Sequence, residues 1–418
     1  MNGGICQKPE LAVAAGDWSS LNSALAAGAD AIYFGIKDFN LRINAANFEL
    51  NEIPKVITCC QKYGAKSYLT LNSIFFDSDN NKLKRVIKAA GEYGIDAVIC
   101  WDFAVVNEVL RAGIPVHLST QASVSNFEAI AFFYKLGIKR IVLARECSLA
   151  MIEAIIKKIK AHGMDLVVEV FIHGALCVSI SGRCFVSEYL FGRSANRGDC
   201  LQPCRRKYVI RDIDEEGELA VEDGYILSPQ DLCTIDIIDL LIKAGIGAFK
   251  IEGRTRSCDY IKVTTEAYRN AIDNYYSGGL NDQKKEEYLD ILEQVYNRGF
   301  SHGFYFGTPL ADLSGTSGSR AQQKKVYLGD VLRFFSKISV AEVLLRNNDC
   351  VVGDKLLFTG KKTGSKEHII HEIEIDHTRI KRASKGSKIA IKTDFVVRKG
   401  DKVFLLKPNK AALNASSQ

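Results

Sequence analysis

The chain has 418 residues, of which 47% are hydrophobic and 25% are charged, and its formal net charge is +6. This length and apolar content suffice for one large domain and a second, smaller one, so a globally disordered chain is excluded. The sequence contains no apolar run of about eighteen residues and begins without the features of a secretory signal, and we therefore expect a cytoplasmic protein with no membrane partner.

Short apolar segments alternate with segments whose apolar residues recur at helical spacing. Eight such alternations predict a parallel (β/α)8 barrel of the TIM type, because parallel strands need crossover helices and eight strands close a ring. An open, doubly wound sheet is the alternative. The predicted strands cover residues 11–16, 31–35, 67–72, 97–101, 116–120, 141–145, 167–173 and 248–252.

The sequence pattern divides the chain into three regions. The barrel is predicted over residues 1–280 and includes a cysteine-rich insertion, 175–247, between its seventh and eighth strands. A charged helix and a connector follow at 281–323, and the alternating pattern of 324–418 predicts a small antiparallel β-barrel. Because the carboxyl ends of barrel strands form the catalytic face, we expect the insertion to contribute to function.

Several predicted strands end in polar residues, which would line one mouth of the barrel. They include the glutamine of LSTQAS, the glutamate of LARE, and the glutamate and histidine of EVFIH. The sequence does not decide which of these side chains performs acid–base chemistry. The candidate catalytic residues are Glu169, His173, Gln121 and Glu146.

Four of the twelve cysteines lie close together at the start of the insertion, and a fifth follows in SPQDLC. In a reducing compartment, clustered thiols indicate metal or redox chemistry rather than disulfides. Thiolates bind a tetrahedral zinc or an iron–sulfur cluster; their wide, irregular spacing favours the cluster here, with zinc as the alternative. The candidate metal ligands are Cys177, Cys184, Cys200, Cys204 and Cys233.

Basic and aromatic residues flank the cysteines and the end of the eighth strand. The planar arginine fork binds carboxylates and phosphates through paired hydrogen bonds, so these residues suit a dicarboxylate or RNA phosphate. Tyr208, together with Tyr189 and Phe191, is suited to stack an extruded base. Pairing of Arg254 with a neighbouring glutamate at the barrel rim is the structural alternative. The candidate substrate-binding residues are Arg205, Arg206, Lys250, Arg254, Arg256 and Tyr208.

The cysteine-rich segment and several strand motifs together resemble a known family. The segment EVFIHGALCVSISGRCFVSEYLFGRSANRGDCLQPCRRKY is similar to the signature of the family historically labelled peptidase U32, or collagenase-like peptidases, and GADAIYFG, LSTQASVSN, IVLARE, SPQDLC and FKIEGRTRS match its other blocks in order. The first strand departs from the family, because LAVAAG stands where LLAPAG is typical. The chain most resembles the branch involved in prephenate-dependent 5-hydroxylation of the wobble uridine of transfer RNA, whose sister branches hydroxylate ribosomal RNA or a ubiquinone precursor without dioxygen.

The resemblance implies a barrel that holds a four-iron, four-sulfur (4Fe-4S) cluster. By position, Cys177, Cys184 and Cys200 would be three of its ligands, and either Cys204 or Cys233 the fourth. The implied partners are transfer RNA and prephenate or a similar small dicarboxylate. The oligomeric state stays open.

Two other functions remain to be weighed. The family label suggests a peptidase that acts on collagen-like protein, although the sequence contains neither H-E-x-x-H nor G-x-S-x-G. A cysteine peptidase would pair one activated thiolate with a histidine, which leaves the other clustered thiols unexplained. The non-enzymatic alternative is a cluster-bearing protein that binds RNA or serves as an assembly factor.

Overall fold

The computed structural model, which describes residues 8–37, 39–211, 218–219, 224–309, 312–316 and 318–409, contains a closed ring of eight parallel strands. The ring closes because the eighth strand pairs with both the first and the seventh. The predicted (β/α)8 barrel is therefore confirmed. The ring strands are β1 (Glu10–Ala15), β2 (Ala31–Gly35), β3 (Lys66–Thr70), β4 (Ala97–Cys100), β5 (Val116–Leu118), β6 (Arg140–Val142), β7 (Val167–Ala175) and β8 (Ala248–Ile251).

Helices connect the ring strands and cover the outside of the ring. Polar side chains fix their starts: Asp17 and Ser20 form a capping box on the first helix, and Ser148 accepts a hydrogen bond at the start of the sixth. Apolar helix faces and strand side chains form the larger of two hydrophobic cores. Within the described ranges, none of the helices has the length and apolar character needed to cross a membrane. The helices are α1 (Trp18–Ala26), α2 (Ile53–Lys62), α3 (Asn80–Glu92), α4 (Phe103–Arg111), α5 (Phe127–Lys135), α6 (Leu149–Ala161), α7 (Val186–Phe191), α8 (Ile238–Lys243), α9 (Cys258–Tyr276) and α10 (Asp282–Glu293).

The insertion between β7 and β8 begins with α7 and two turns of 3-10 helix, Ala195–Arg197 and Pro203–Arg205, and ends with a further 3-10 turn, Ile235–Ile237, and α8. Gly198, whose φ is +95°, allows it to approach the loop after β2, because an added Cβ would overlap the Asn40 carbonyl oxygen. This contact seats the cysteine-containing segment against the carboxyl end of the ring. The short strand Asp231–Cys233 pairs with the end of β7 and with Phe300–Ser301, and Ile210–Arg211 forms a separate two-stranded sheet with Glu218–Leu219.

A separate antiparallel sheet follows the barrel, as expected, and has a hydrophobic core of its own. It contacts α1 and α9 of the barrel; Lys325 Nζ, for example, lies 2.7 Å from the Asp259 carboxylate. The strands are β9 (Gln323–Phe335), β10 (Val340–Leu345), β11 (Lys355–Gly360), β12 (Gly364–Ile369), β13 (Ile373–Ile375), β14 (Thr378–Ile380), β15 (Lys388–Lys392) and β16 (Lys402–Pro408), and Cys350–Val351 pairs separately with Arg382–Ala383. The strand order in the sheet is β12-β11-β16-β9-β10-β15-β13-β14.

Candidate functional site

A cavity of about 370 Å³ lies over the carboxyl ends of the ring strands, where barrel enzymes place their active sites. Loops that follow the strands form one side of its wall and the insertion forms the other. Strands β5 and β6 end earlier than the sequence predicts, which leaves Gln121 and Arg145 on loops at this cavity. We call the cavity the barrel mouth. Its lining includes Asn72, Gln121, Arg145, Cys177, Glu252 and Arg254.

Four half-buried cysteines of the insertion lie near one another on one side of the barrel mouth. Cys177, Cys200 and Cys204 line the cavity, and Cys184 lies just outside it, before α7. Burial raises the pKa of Cys204, and so do the charges that Cys177, Cys200 and Cys184 carry as thiolates. Since such an effect acts only between neighbouring groups, the structure brings these four thiols together.

Backbone N–H groups point at three of these sulfur atoms. In each case the donor is the residue two positions further along the chain. Such bonds stabilise a thiolate, the form that binds metals and clusters, and set the chemistry of the metal that it holds. The donor–sulfur distances are 3.4 Å from Ser179 to Cys177, 3.5 Å from Val186 to Cys184 and 3.4 Å from Gln202 to Cys200.

Cys233 lies apart from the other four thiols. It is 3% exposed, its sulfur is 3.7 Å from the Tyr268 hydroxyl, and burial raises its pKa to about 12. The charges that act on it come from Asp236 and Glu293 rather than from the other cysteines. Cys204 is thus the fourth member of the group. Side chains of the described residues form no set of three or more His, Cys, Asp or Glu already positioned around a single metal ion.

Positive charge dominates the other side of the barrel mouth. Among the described residues, its lining contains seven cationic side chains and one carboxylate, that of Glu252. Asp231, which lies outside the lining, pairs with two of the cations, and Glu169 pairs with a third. The cationic residues are Arg42, Arg145, Arg205, Lys250, Arg254, Arg256 and Arg298.

Arg254, which is buried, and Arg145, which is half-buried, form no ion pair within the described part of the chain. Arg145 lies 4.0 Å from the centre of the Phe171 ring and donates to the Ala175 carbonyl oxygen at 2.9 Å. Arg254 donates to Asn40 and Thr70, both at 3.1 Å. Among the described residues, the Nε of each has no hydrogen-bond partner, and burial lowers the pKa of both. Because arginine stays protonated in proteins, an anionic ligand would balance these charges.

Glu252 is ionised although most of its side chain is shielded from solvent. Burial would raise its pKa, but the charges of Arg42, Arg254 and Arg145 hold it below its ordinary value. Tyr33 donates a hydrogen bond of 3.1 Å to its Oε2, which fixes the orientation of the carboxylate. The barrel mouth therefore contains one oriented base among cations, which the sequence analysis treated only as a pairing partner.

Glu169 is not part of the cavity lining. It lies inside the barrel, 1% exposed, with Arg140 Nε at 2.5 Å and Lys250 Nζ at 2.7 Å. Burial would raise its pKa, but these two cations hold it far below the ordinary range. Arg140 also lies 2.6 Å from Glu10. We call Glu10, Arg140, Glu169 and Lys250 the interior ion network.

The other three candidate catalytic residues occupy different places. Gln121 lines the barrel mouth, where its Nε2 donates to the Ser181 carbonyl oxygen at 3.2 Å. Glu146 is exposed outside the cavity. His173 is buried against the rings of Tyr260 and Tyr268, and burial lowers its pKa to about 3, so that it is neutral at physiological pH.

Some of the candidate substrate-binding residues line the barrel mouth and others lie outside it. Arg205, Lys250, Arg254 and Arg256 line the barrel mouth, as described above. Arg206 lies outside it, with its guanidinium 4.7 Å from the centre of the Phe191 ring, and the Tyr208 hydroxyl is bound to the Pro203 carbonyl oxygen at 2.8 Å. Sequence analysis missed Arg42, Arg145 and Arg298. Only Arg145 carried a signal, since it ends the strand motif IVLARE; the other two come from distant loops.

Comparison with known proteins identifies relatives along most of the chain. A family model described as Peptidase family U32 matches residues 16–314. The chain is 40% identical over 407 residues to an uncharacterized protease of Methanocaldococcus jannaschii, covering 95% of this chain and 98% of that protein. It is 37% identical over 402 residues to a collagenase of Porphyromonas gingivalis, with 94% and 97% covered. It is also 34% identical over 375 residues to tRNA hydroxylation protein P1 of Bacillus subtilis, with 88% and 87% covered.

Proposed function

This chain belongs to Peptidase family U32, and from that premise we propose that it hydroxylates RNA, with the wobble uridine of transfer RNA as the target. The hydroxyl oxygen would come from prephenate or a similar small dicarboxylate rather than from dioxygen. One observation carries the proposal: three of four neighbouring thiols line the same cavity as Arg145 and Arg254, two arginines that form no ion pair within the described part of the chain. The similarity to a tRNA hydroxylation protein supports the same reaction class.

Cys177, Cys184, Cys200 and Cys204 would hold a 4Fe-4S cluster. The proximity of the four thiols and the backbone N–H groups directed at three of them support this ligand set. When bound, the cluster supplies the one-electron chemistry that C–H oxygenation requires and that side chains do not provide. Zinc, the alternative, suits thiolate ligands but has no redox chemistry, and so does not support this reaction.

Arg145 and Arg254 would bind the carboxylates of the donor. Each offers an unpaired N–H in a buried setting, where a charge-assisted hydrogen bond is strongest. A cavity of about 370 Å³ lies in the range of sites for small molecules. Arg42 and Arg205 add positive charge to the same cavity and would favour a dianion over a monoanion.

Glu252 is the residue that we assign to proton transfer. Replacing hydrogen by hydroxyl at carbon 5 of uracil oxidises the base by two electrons and releases a proton. The donor would take up the two electrons as its C–O bond breaks, and Glu252, the ionised base of the barrel mouth in the described part of the chain, would accept the proton. Tyr33 is a positioning residue, because it orients the Glu252 carboxylate through its hydroxyl.

Nucleoside analysis of transfer RNA tests the reaction. In cells that lack the gene, we expect 5-hydroxyuridine derivatives at the wobble position to disappear and the unmodified uridine to accumulate. The wild-type gene and a Glu146→Gln variant, which changes an exposed glutamate, should restore the modification, whereas Glu252→Gln should not. Unchanged wobble nucleosides in the deletion strain would show that the assigned reaction is wrong.

The same experiment separates the enzyme from a non-enzymatic factor that binds RNA or assembles clusters. Glu252→Gln leaves all four cysteines in place, so protein purified without air should keep the iron and sulfide content of the wild type. A binding or assembly factor would tolerate this variant, and restoration of the modification by Glu252→Gln would therefore favour that alternative.

A peptidase is the second candidate, because two relatives carry the names protease and collagenase. The geometry gives it less support. No cysteine of the described residues is hydrogen-bonded to a histidine, and His173, four positions before Cys177, is held neutral among aromatic rings away from the barrel mouth. Digestion of gelatin by purified protein, abolished in Cys177→Ser, would favour the peptidase.

A further inference from the structure

An exposed group of aromatic side chains surrounds the short helix α7 of the insertion. Tyr189 is 84% exposed and Phe185 62%, and Phe191 is partly exposed beside them. Large apolar side chains grouped at the surface mark a binding surface more often than isolated ones do. We call Phe185, Tyr189, Phe191 and the adjacent Arg206 the aromatic platform.

We propose that the aromatic platform stacks unpaired bases of an RNA loop and so presents the target base to the barrel mouth. This inference rests on the proposed function and adds to it the form of the substrate, which is single-stranded rather than duplex RNA. Enzymes that act on a base remove it from its stack, and proteins commonly hold single-stranded bases against aromatic rings.

The platform is attached to the segments that carry the cysteines. Cys184 directly precedes Phe185, and the Val186 N–H at the start of α7 points at the Cys184 sulfur. On the opposite side, the Leu201 N–H donates to the Ser187 hydroxyl at 3.1 Å, which joins the helix to the loop of Cys200. A base stacked on the platform would therefore lie beside the thiols that line the barrel mouth.

The charge of this region matches RNA. Residues 177–209 contain six arginines and lysines and two acidic residues, a surplus of four out of the net charge of +6 for the whole chain. Arg193 and Arg197 pair with carboxylates. Arg206 has no carboxylate partner within the described part of the chain, and its guanidinium lies 4.7 Å from the centre of the Phe191 ring. An arginine on an aromatic ring combines phosphate attraction with base stacking.

Binding of two RNAs to the full-length protein, purified without air, tests the inference. One RNA is a fluorescent hairpin with an unpaired loop, and the other is a fully paired duplex of the same length; fluorescence anisotropy measures both affinities. We expect the hairpin to bind more tightly, and Tyr189→Ala to weaken its binding about tenfold. Tyr189→Phe should bind as the wild type does, because it keeps the ring. Tyr63→Ala, which removes an exposed tyrosine at the end of α2, is the matched control and should have no effect.

A spectroscopic signal distinguishes stacking from a structural role. The fluorescence of 2-aminopurine placed in the hairpin loop should fall on binding to the wild type and to Tyr189→Phe, but not on binding to Tyr189→Ala. Equal affinity for hairpin and duplex, or equal quenching by Tyr189→Ala and the wild type, would overturn the inference. It would also be overturned if Tyr189→Ala dissociated a self-associated protein in sedimentation while RNA binding stayed intact, since the face would then bind protein.

These results do not depend on the reaction. Loop-specific binding and quenching without any hydroxylation would leave the platform in place and show that the proposed reaction is wrong. Hydroxylation of the hairpin with the same KM by the wild type and by a Phe185→Ala/Tyr189→Ala double variant would keep the reaction and reject the platform.

Discussion

The barrel contains buried charges in two regions. In the interior, the opposite charges form ion pairs with one another, whereas at the mouth two arginines form no ion pair within the described part of the chain. In the interior ion network, Glu169 lies between Arg140 and Lys250, and Arg140 also reaches Glu10. At the barrel mouth, Arg254 is buried and Arg145 is half-buried; both interact with the charge of Glu252 but form no ion pair within the described ranges, and the Nε of each has no hydrogen-bond partner there.

The comparison shows which feature of a buried charge indicates a ligand. Glu169 has the more strongly shifted pKa, yet the cations around it account for that shift and leave no room for a substrate. Shifted pKa values occur in structural ion pairs as well as in active sites. A charge that faces a cavity without an ion-pair partner is the better indicator, because a ligand of opposite charge would offset its desolvation.

The cysteines repeat this contrast and give the largest expected effect. Cys204→Ser should lower the iron and sulfide content of protein prepared without air and reduce RNA hydroxylation by more than about 100-fold. Substitution of residues that only hydrogen-bond to a metal ligand already lowers metal affinity or activity by up to about 100-fold, and loss of a ligand should have a larger effect. Cys233→Ser is the matched control. It replaces a thiol that lies apart from the other four, and should leave iron content and activity close to wild type.

The reverse pattern would contradict the ligand set. If Cys233→Ser lost the iron and Cys204→Ser kept it, the interior thiol of Cys233 would be the ligand, and the proposed set of four neighbouring cysteines would be wrong. Both measurements are made on the same preparations.

The interior ion network should contribute mainly to stability. Glu169→Gln removes the carboxylate that both Arg140 and Lys250 contact, and breaking a buried pair in this way costs about 3–5 kcal/mol in the free energy of unfolding. Urea denaturation measures the change. Glu146→Gln, an exposed substitution of the same type, should change it by less than about 0.5 kcal/mol. Equal stability of the two variants would show that the network is not structural.

The sequence predicted the barrel well because each strand and helix carries its own local pattern. It could not place Glu169 and His173, which it assigned to the mouth. Glu169 pairs with Ala248 at the start of β8, and so lies deep in the ring rather than at its rim. The pairing of β7 with β8 shifts register after Phe171, and His173 contacts α9 instead of the cavity. A register shift of this kind has no single-sequence signal.

The site was predictable where its residues are neighbours along the chain. Cys177, Cys184, Cys200 and Cys204 lie in one segment, and the structure brings them together. Arg42 comes from a loop more than a hundred residues earlier, and only closure of the ring places it at the same cavity. Our proposal of Cys204 over Cys233 as a ligand likewise rests on the burial of Cys233, which its sequence context does not reveal.

The unpaired arginines should affect donor binding and leave stability nearly unchanged. Arg254→Gln keeps a polar side chain but removes the charge. It should weaken the binding of prephenate about 10- to 100-fold, because this is the loss of affinity expected when a hydrogen bond to a charged group is removed. Isothermal titration calorimetry measures the affinity, and urea denaturation checks the fold. Arg193→Gln, which removes an arginine paired on the outer surface, should bind prephenate as the wild type does. Unchanged binding by Arg254→Gln would remove this residue from the donor site.

The half-exposed pair of His302 and Asp236 should have the smallest effect on stability. The hydrogen bond that His302 Nε2 donates to the Asp236 carboxylate raises the pKa of His302 above its ordinary value of 6.5. The pair therefore stabilises the fold fully below about pH 6.5 and progressively less as the pH rises through the folded-state pKa. Because both side chains are partly solvated, the contribution is at most about 1 kcal/mol. The difference in unfolding free energy between wild type and His302→Gln should therefore shrink from pH 6 to pH 9, measured by urea denaturation across that range. His162→Gln, which changes a histidine that hydrogen-bonds only a backbone carbonyl among the described residues, should show no such trend, and a difference that grew with pH would contradict the assignment.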